Sequence, residues 1–167
     1  MTAGWSRPID VDRLADGGEV REFNLPLRDL PRLVGSLASK EGSAHCLLSF
    51  KRERRFPVAD IEVQAELTLI CQRCMQPMQF LVNERSRVWL VSEPGAADRL
   101  EAGIEPVLVP QGQVVLSDLV EEELLLAVPL VPRHQIESEC SGAEPEPHED
   151  AVKQTPFAGL GELLKRS

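Results

Sequence analysis

Cys71 and Cys74 stand two residues apart in Cys71-Gln72-Arg73-Cys74-Met75-Gln76-Pro77, directly after a strictly alternating run from Ile61 to Ile70. Two thiols at that spacing on a tight reversal supply half of a tetrahedral zinc site, because structural zinc is usually held by two short pairs of N or S ligands that folding brings together. The other half must come from the remaining sulfur and imidazole groups. His134 and Cys140 are the candidates, with Cys46 and His148 as alternatives. Cys46 is in phase with Leu48 and Phe50, so it reads as a small core hydrophobe, and His45 and His148 read as surface imidazoles. The expected cofactor is therefore zinc. A bare reduced dithiol at a packed turn is the plain alternative, and a redox pair is a further one. Thioredoxin-type dithiols sit at a helix N-terminus after a parallel strand, where the dipole lowers the thiol pKa. Here a second strand follows instead, which argues against redox work.

Other chemistry-bearing patterns are absent. There is no Gly-x-Ser-x-Gly elbow, no Gly-x-x-x-x-Gly-Lys phosphate cradle, no Gly-x-Gly-x-x-Gly and no His-Glu-x-x-His. Glu121, Glu122 and Glu123 point in different directions around a helix and cannot form a paired acid/base site. Nothing in the chain demands an enzyme. Arg52, Arg54, Arg55, Arg73, Arg85 and Arg87 cluster near the cysteine-bearing turn, and strand alternation puts Arg85, Arg87 and Trp89 on one face. That group is a candidate surface for phosphate or a stacked base; the competing reading is a solvated strand face.

The elements that must position these residues follow from periodicity. Ile61, Val63, Ala65, Leu67 and Leu69 alternate with Glu62, Gln64, Glu66 and Thr68, a strand with one buried and one wet face. Phe80 to Val91 returns beside it, so the pair reads as an antiparallel hairpin capped by the Cys-x-x-Cys turn. Val20 to Leu25 and Ala44 to Phe50 read as two further strands, with Lys51 to Arg55 a basic turn or strand end. Asp29 offers an N-cap to a helix with Leu30, Leu33, Val34, Leu37 and Ala38 on one face, ended near Glu41-Gly42. Asp118 and Glu121 form a capping box for a helix to about Ala127, stopped by Pro129 and Pro132. Val107 to Val109 and Val114 to Leu116 flank a Pro110-Gln111-Gly112 turn.

The chain of 167 residues is long enough for one domain with a real core. The expected fold class is α+β, a mainly antiparallel sheet with two or three short helices and an acidic mobile segment. Residues 1–136 read as the single domain, 137–155 as the acidic flexible segment, and 156–167 as a C-terminal short helix or tail. The net charge of −9 argues against a protein that coats nucleic acid indiscriminately. It is unevenly spread: residues 93–150 hold 14 acidic side chains against 2 basic ones, whereas residues 51–87 hold 7 basic against 5 acidic. Two surfaces with different partners are expected. Met1 to Asp10 lacks the apolar core of a secretory leader, and Leu124 to Pro132 is too short to span a bilayer. The expected location is the cytoplasm, with reduced cysteines.

Three segments in order resemble the YceD family, known as the large ribosomal RNA subunit accumulation proteins. The first is the Cys71-to-Pro77 element. The second runs from Asp118 through Pro129 to Pro132 and His134, then Cys140 and a short acidic tract. The third is Pro156-Phe157-Ala158 with Leu160 and Leu164-Lys165, where Thr155 replaces the family's asparagine. The resemblance implies a non-enzymatic role in accumulation of 23S ribosomal RNA and large-subunit assembly. It implies ribosomal RNA or ribosomal proteins of the assembling subunit as partners, with no membrane and no small-molecule substrate. It also implies Cys71, Cys74 and Cys140 as the functional thiols, with His134 beside them. The competing functions are a zinc-stabilised interaction adaptor unrelated to ribosomes and a Cys-x-x-Cys thiol oxidoreductase.

Overall fold

The computed structural model describes residues 4–93, 95 and 106–140. Its strands are β1 (Ile9–Asp10), β2 (Val20–Pro26), β3 (Ser43–Glu53), β4 (Phe56–Ile70), β5 (Pro77–Val91), β6 (Pro106–Leu108) and β7 (Gln113–Val114). Two helices accompany them among the described residues, α1 (Val11–Asp16) and α2 (Leu116–Ala127). The fold is α+β. Strands β2-β3-β4-β5-β6 form one sheet in that order, antiparallel except for the parallel β5–β6 pair, and β1 pairs with β7 beside it.

Register explains which side chains go inside. Cys46 faces Val63, Leu48 faces Ile61 and Phe50 faces Ala59, while Ala59 faces Val88 and Ala65 faces Val82. With a side-chain period of two, these residues share one face of the sheet. Onto that face pack Val11 and Leu14 from α1 and Leu119, Val120 and Leu124 from α2, all buried. Each such leucine or valine contributes about 1.5–3 kcal/mol through burial. The opposite face stays wet and is laced by cross-strand ion pairs, Glu62 to Arg85 at 3.1 Å and Asp60 to Arg87 at 2.5 Å.

Two expected elements differ in the structure. Residues 29–41 form no amphipathic helix; Leu27–Asp29 and Leu33–Ser36 are separate 3-10 turns. Pro31 has no N–H to give, and the N–H groups of Arg32 and Leu33 donate to the Glu121 carboxylate instead. The leucines at helical spacing are buried all the same, because Leu30 and Leu33 plug the core as an irregular segment. The second difference is the capping box. Helix α2 starts at Leu116 with Val115 as its N-cap, so Asp118 lies inside the first turn and Glu121 does not reach back to it. Residues 141–167, which carry most of the acidic segment and the whole C-terminal tail, lie outside the described residues.

The β3–β4 turn carries strain. Glu53 pairs with Phe56, leaving Arg54 at φ 47° and Arg55 at φ 74° as its two central residues. A turn with positive φ at both positions favours Asn-Gly, since an L side chain there costs about 1 kcal/mol or more. Replacing Arg54-Arg55 with Asn-Gly is therefore expected to stabilise the fold by roughly 1 kcal/mol. Thermal unfolding should show a midpoint about 2–4 °C higher, and a lower midpoint would show that the arginines contribute more than their backbone costs.

Candidate metal centre

The turn between β4 and β5 is built to present sulfur. Ile70 pairs with Pro77, closing Cys71 to Gln76 as the connection. The Cys71 N–H donates to the Gln76 carbonyl at 2.9 Å and the Met75 N–H to the Cys71 carbonyl at 2.8 Å. Met75 adopts φ 58°, the left-handed conformation that reverses the chain just after the second thiol.

The other ligands arrive from beyond α2. That helix ends at Ala127, and Pro129 and Pro132 hold the following chain out of helical geometry. The Gln72 N–H donates to the Pro132 carbonyl at 2.8 Å and docks this segment on the turn. His134 follows two residues later, and a 3-10 turn over Glu137–Glu139 delivers Cys140. The four side chains Cys71, Cys74, His134 and Cys140 converge with their ligand atoms all within 4.8 Å of one another. Cys71 Sγ lies 3.8 Å from Cys140 Sγ; His134 Nδ1 lies 3.5 Å from Cys74 Sγ and 3.4 Å from Cys140 Sγ. The group is a Cys₃His set able to hold a metal ion.

Electrostatics around the group favour thiolate. Burial works against charge on Cys71, but the N–H groups of Cys74, His134 and Arg73 and the His134 ring outweigh it, and the thiol falls to about 5. Cys74 is pushed the other way, by burial and by the neighbouring sulfurs of Cys71 and Cys140, as expected when thiols share one site and one ionises first. Arg73 donates its Nε–H to Cys140 Sγ at 3.0 Å, setting a positive charge against the sulfur cluster. Cys46 stands apart on the core face of β3, fully buried, its thiol pushed up to about 12 by burial and therefore inert.

The arginines divide. Arg85, Arg87 and Trp89 do lie on one face of β5, yet Arg85 and Arg87 are each matched by a carboxylate of β4, and Trp89 is half-buried opposite Val58. Arg52 turns away to α1, meeting Asp12 at 2.7 Å and Asp16 at 2.5 Å. Arg54 and Arg55 sit at the strained turn, and Arg73 belongs to the sulfur cluster. One feature escaped the residue pattern: Glu121, buried on α2, which accepts from the Arg32 and Leu33 N–H groups and from Arg32 Nε. Its place on the apolar stripe, between Val120 and Leu124, was the available signal.

Comparison with known proteins agrees in extent with this architecture. No solved structure matches the chain. A curated protein of Haemophilus influenzae, the large ribosomal RNA subunit accumulation protein YceD, is 32% identical over 168 residues, covering 95% of this chain and 97% of the relative. The family model described as large ribosomal RNA subunit accumulation protein YceD matches residues 59–164, a stretch that begins in β4 and takes in all four members of the Cys₃His group. With kinship along nearly its whole length, the chain belongs to the YceD family.

Proposed function

We propose that this protein is a non-enzymatic factor that supports accumulation of 23S ribosomal RNA and assembly of the large ribosomal subunit in the cytoplasm, with one structural zinc in its Cys₃His group. The observation that carries the reading is the family match, which runs through 95% of the chain to a relative named for large ribosomal RNA subunit accumulation. The site supports the zinc. With Zn–S near 2.3 Å and Zn–N near 2.0–2.1 Å, a tetrahedron sets S···S at about 3.8 Å and S···N at about 3.5 Å. The group's own separations, 3.8 Å, 3.5 Å and 3.4 Å, match these. Three thiolates and a neutral imidazole around a dication leave one negative charge, and the Arg73 guanidinium offsets it.

The same geometry speaks against thiol exchange. Cys71 has the lowest thiol pKa but no exposed surface, so no disulfide substrate can reach its sulfur. The acidic second half of the chain suits a basic ribosomal protein as direct partner, alongside large-subunit RNA. Among the described residues no helix is long and apolar enough to cross a membrane.

Sedimentation of lysates tests the reading. Cells lacking the gene are expected to show fewer large subunits relative to small ones and less 23S RNA, restored by the intact protein and poorly by Cys74→Ser. An unchanged subunit ratio would overturn the ribosomal role and leave a zinc-stabilised adaptor.

A further inference from the structure

A second site lies on the far side of the fold from any assigned chemistry, in a cleft of about 490 Å³ between the N-terminal turn and β2. Its walls include Trp5, Phe23, Arg7, Arg13, Arg21 and Leu116. Its volume falls in the range of small-ligand pockets. Trp5 and Phe23 stack with ring centroids 5.5 Å apart and planes 15° from parallel, forming a rigid aromatic wall. Arg21 and Phe23 are two apart on β2 and so point to the same side of the strand.

The cations beside that wall exceed their local counter-ions. Arg13 and Arg21 converge on a single carboxylate, Glu19, with Arg13 Nε 3.9 Å from it and Arg21 Nη2 in direct contact. The Asp10 carboxylate is engaged in capping α1 through the Arg13 N–H at 2.8 Å. Arg21 Nε is buried and has no acceptor. A guanidinium N–H shut away from solvent is satisfied best by an anionic oxygen, and the planar fork of arginine matches phosphate. An aromatic platform next to a phosphate-binding fork is the arrangement that holds single-stranded nucleic acid, base on ring and backbone on guanidinium.

We propose that this cleft binds one nucleotide of single-stranded RNA, its base against Trp5 and its phosphate between Arg13 and Arg21. Most of the cleft lies before residue 59, outside the stretch the family model matches. The inference goes beyond the assembly role above, which leaves open whether the protein touches RNA, and it can fail while that role stands. An acidic protein with one such cleft binds RNA locally without coating it, since the remaining surface repels phosphate.

The test uses the full-length protein with Trp89→Phe, which leaves Trp5 as the one emitter, because the chain has 2 tryptophans. Titration with a ten-nucleotide oligouridine at low salt is expected to change the Trp5 emission. The log of the binding constant should fall with log salt at a slope of about −1.4, for two phosphate contacts on a single strand. Arg21→Gln and Trp5→Leu, each checked for an unchanged unfolding midpoint, are expected to weaken binding about tenfold or more; for Trp5→Leu the readout is anisotropy of labelled RNA. Absence of binding at low salt overturns the proposal, as does binding indifferent to both substitutions. Uridine monophosphate binding as tightly as the oligomer would assign the cleft to a free nucleotide and overturn the RNA reading.

Discussion

Cys74→Ser is expected to empty the metal centre and to lower the stability of the fold by several kcal/mol, on the order of 3–5. Two effects add. The serine oxygen is a poor zinc ligand at neutral pH, so the binding free energy that holds the turn to the segment after α2 is lost. The surviving Cys71 and Cys140 sulfurs, 3.8 Å apart, are then left without the cation that neutralises them. Unlike a bare zinc finger, this chain keeps its sheet core, so it should remain folded around β3, β4 and β5 while the 129–140 segment comes loose. Purified wild type should carry close to one zinc by elemental analysis. A strong chelator should lower its unfolding midpoint to that of the variant and leave the variant unmoved. Cys46→Ala is the control: it removes a buried non-ligand sulfur, costs roughly 1 kcal/mol of packing, and leaves the metal content unchanged. Metal-free wild type with a fully stable Cys74→Ser would reduce the four converging side chains to an ordinary packed turn.

How much of this was visible before any coordinates depends on the range of the interaction concerned. The alternation from Ile61 to Leu69 identifies β4 because one face is buried and one is wet, a local pattern with a single solution. Two ligands of the metal centre are equally local, since Cys71 and Cys74 share one turn. The other two are not. His134 and Cys140 are 60 and 69 residues from their partners. Only a docking bond, Gln72 N–H to Pro132 O, and two prolines that forbid helix bring them back. Residue type narrowed the choice to a few groups, and kinship chose among them. The segment from Leu30 to Ala38 misled for the same reason. Its 3.6-residue spacing is genuine, but Pro31 and Gly35 weaken the helix. Its N–H groups are claimed by a carboxylate almost 90 residues away in the chain. No window of local sequence contains that partner. The arginines illustrate a further blind spot, since alternation placed Arg85 and Arg87 on one face but could not show that Asp60 and Glu62 stand opposite them.

That distant carboxylate should matter nearly as much to stability as the metal centre. Glu121→Ala is expected to cost about 3–5 kcal/mol, the range seen when one partner of a buried ion pair is removed. Glu121 is 3% exposed, the one buried charged residue among those described. Its Oε1 accepts from Arg32 N at 2.6 Å and Leu33 N at 3.0 Å, and its Oε2 from Arg32 Nε at 3.1 Å. Truncation orphans two backbone donors, one on the buried Leu33, and unfastens the 31–36 segment from α2. Glu121→Gln keeps an acceptor for the backbone groups but turns an amide N–H towards Arg32, so its cost should be intermediate, about 2 kcal/mol. Glu122, which meets Arg32 Nη1 at 2.7 Å but is more than half exposed, should be worth less than about 1 kcal/mol on replacement by alanine. Chemical denaturation of the three variants gives the ranking directly, with zinc content unaffected in all of them because the contact lies away from the sulfurs. If Glu121→Ala fell within 1 kcal/mol of wild type, the clamp would be incidental, and the irregular path from Leu27 to Ser36 would have to be held by leucine packing alone.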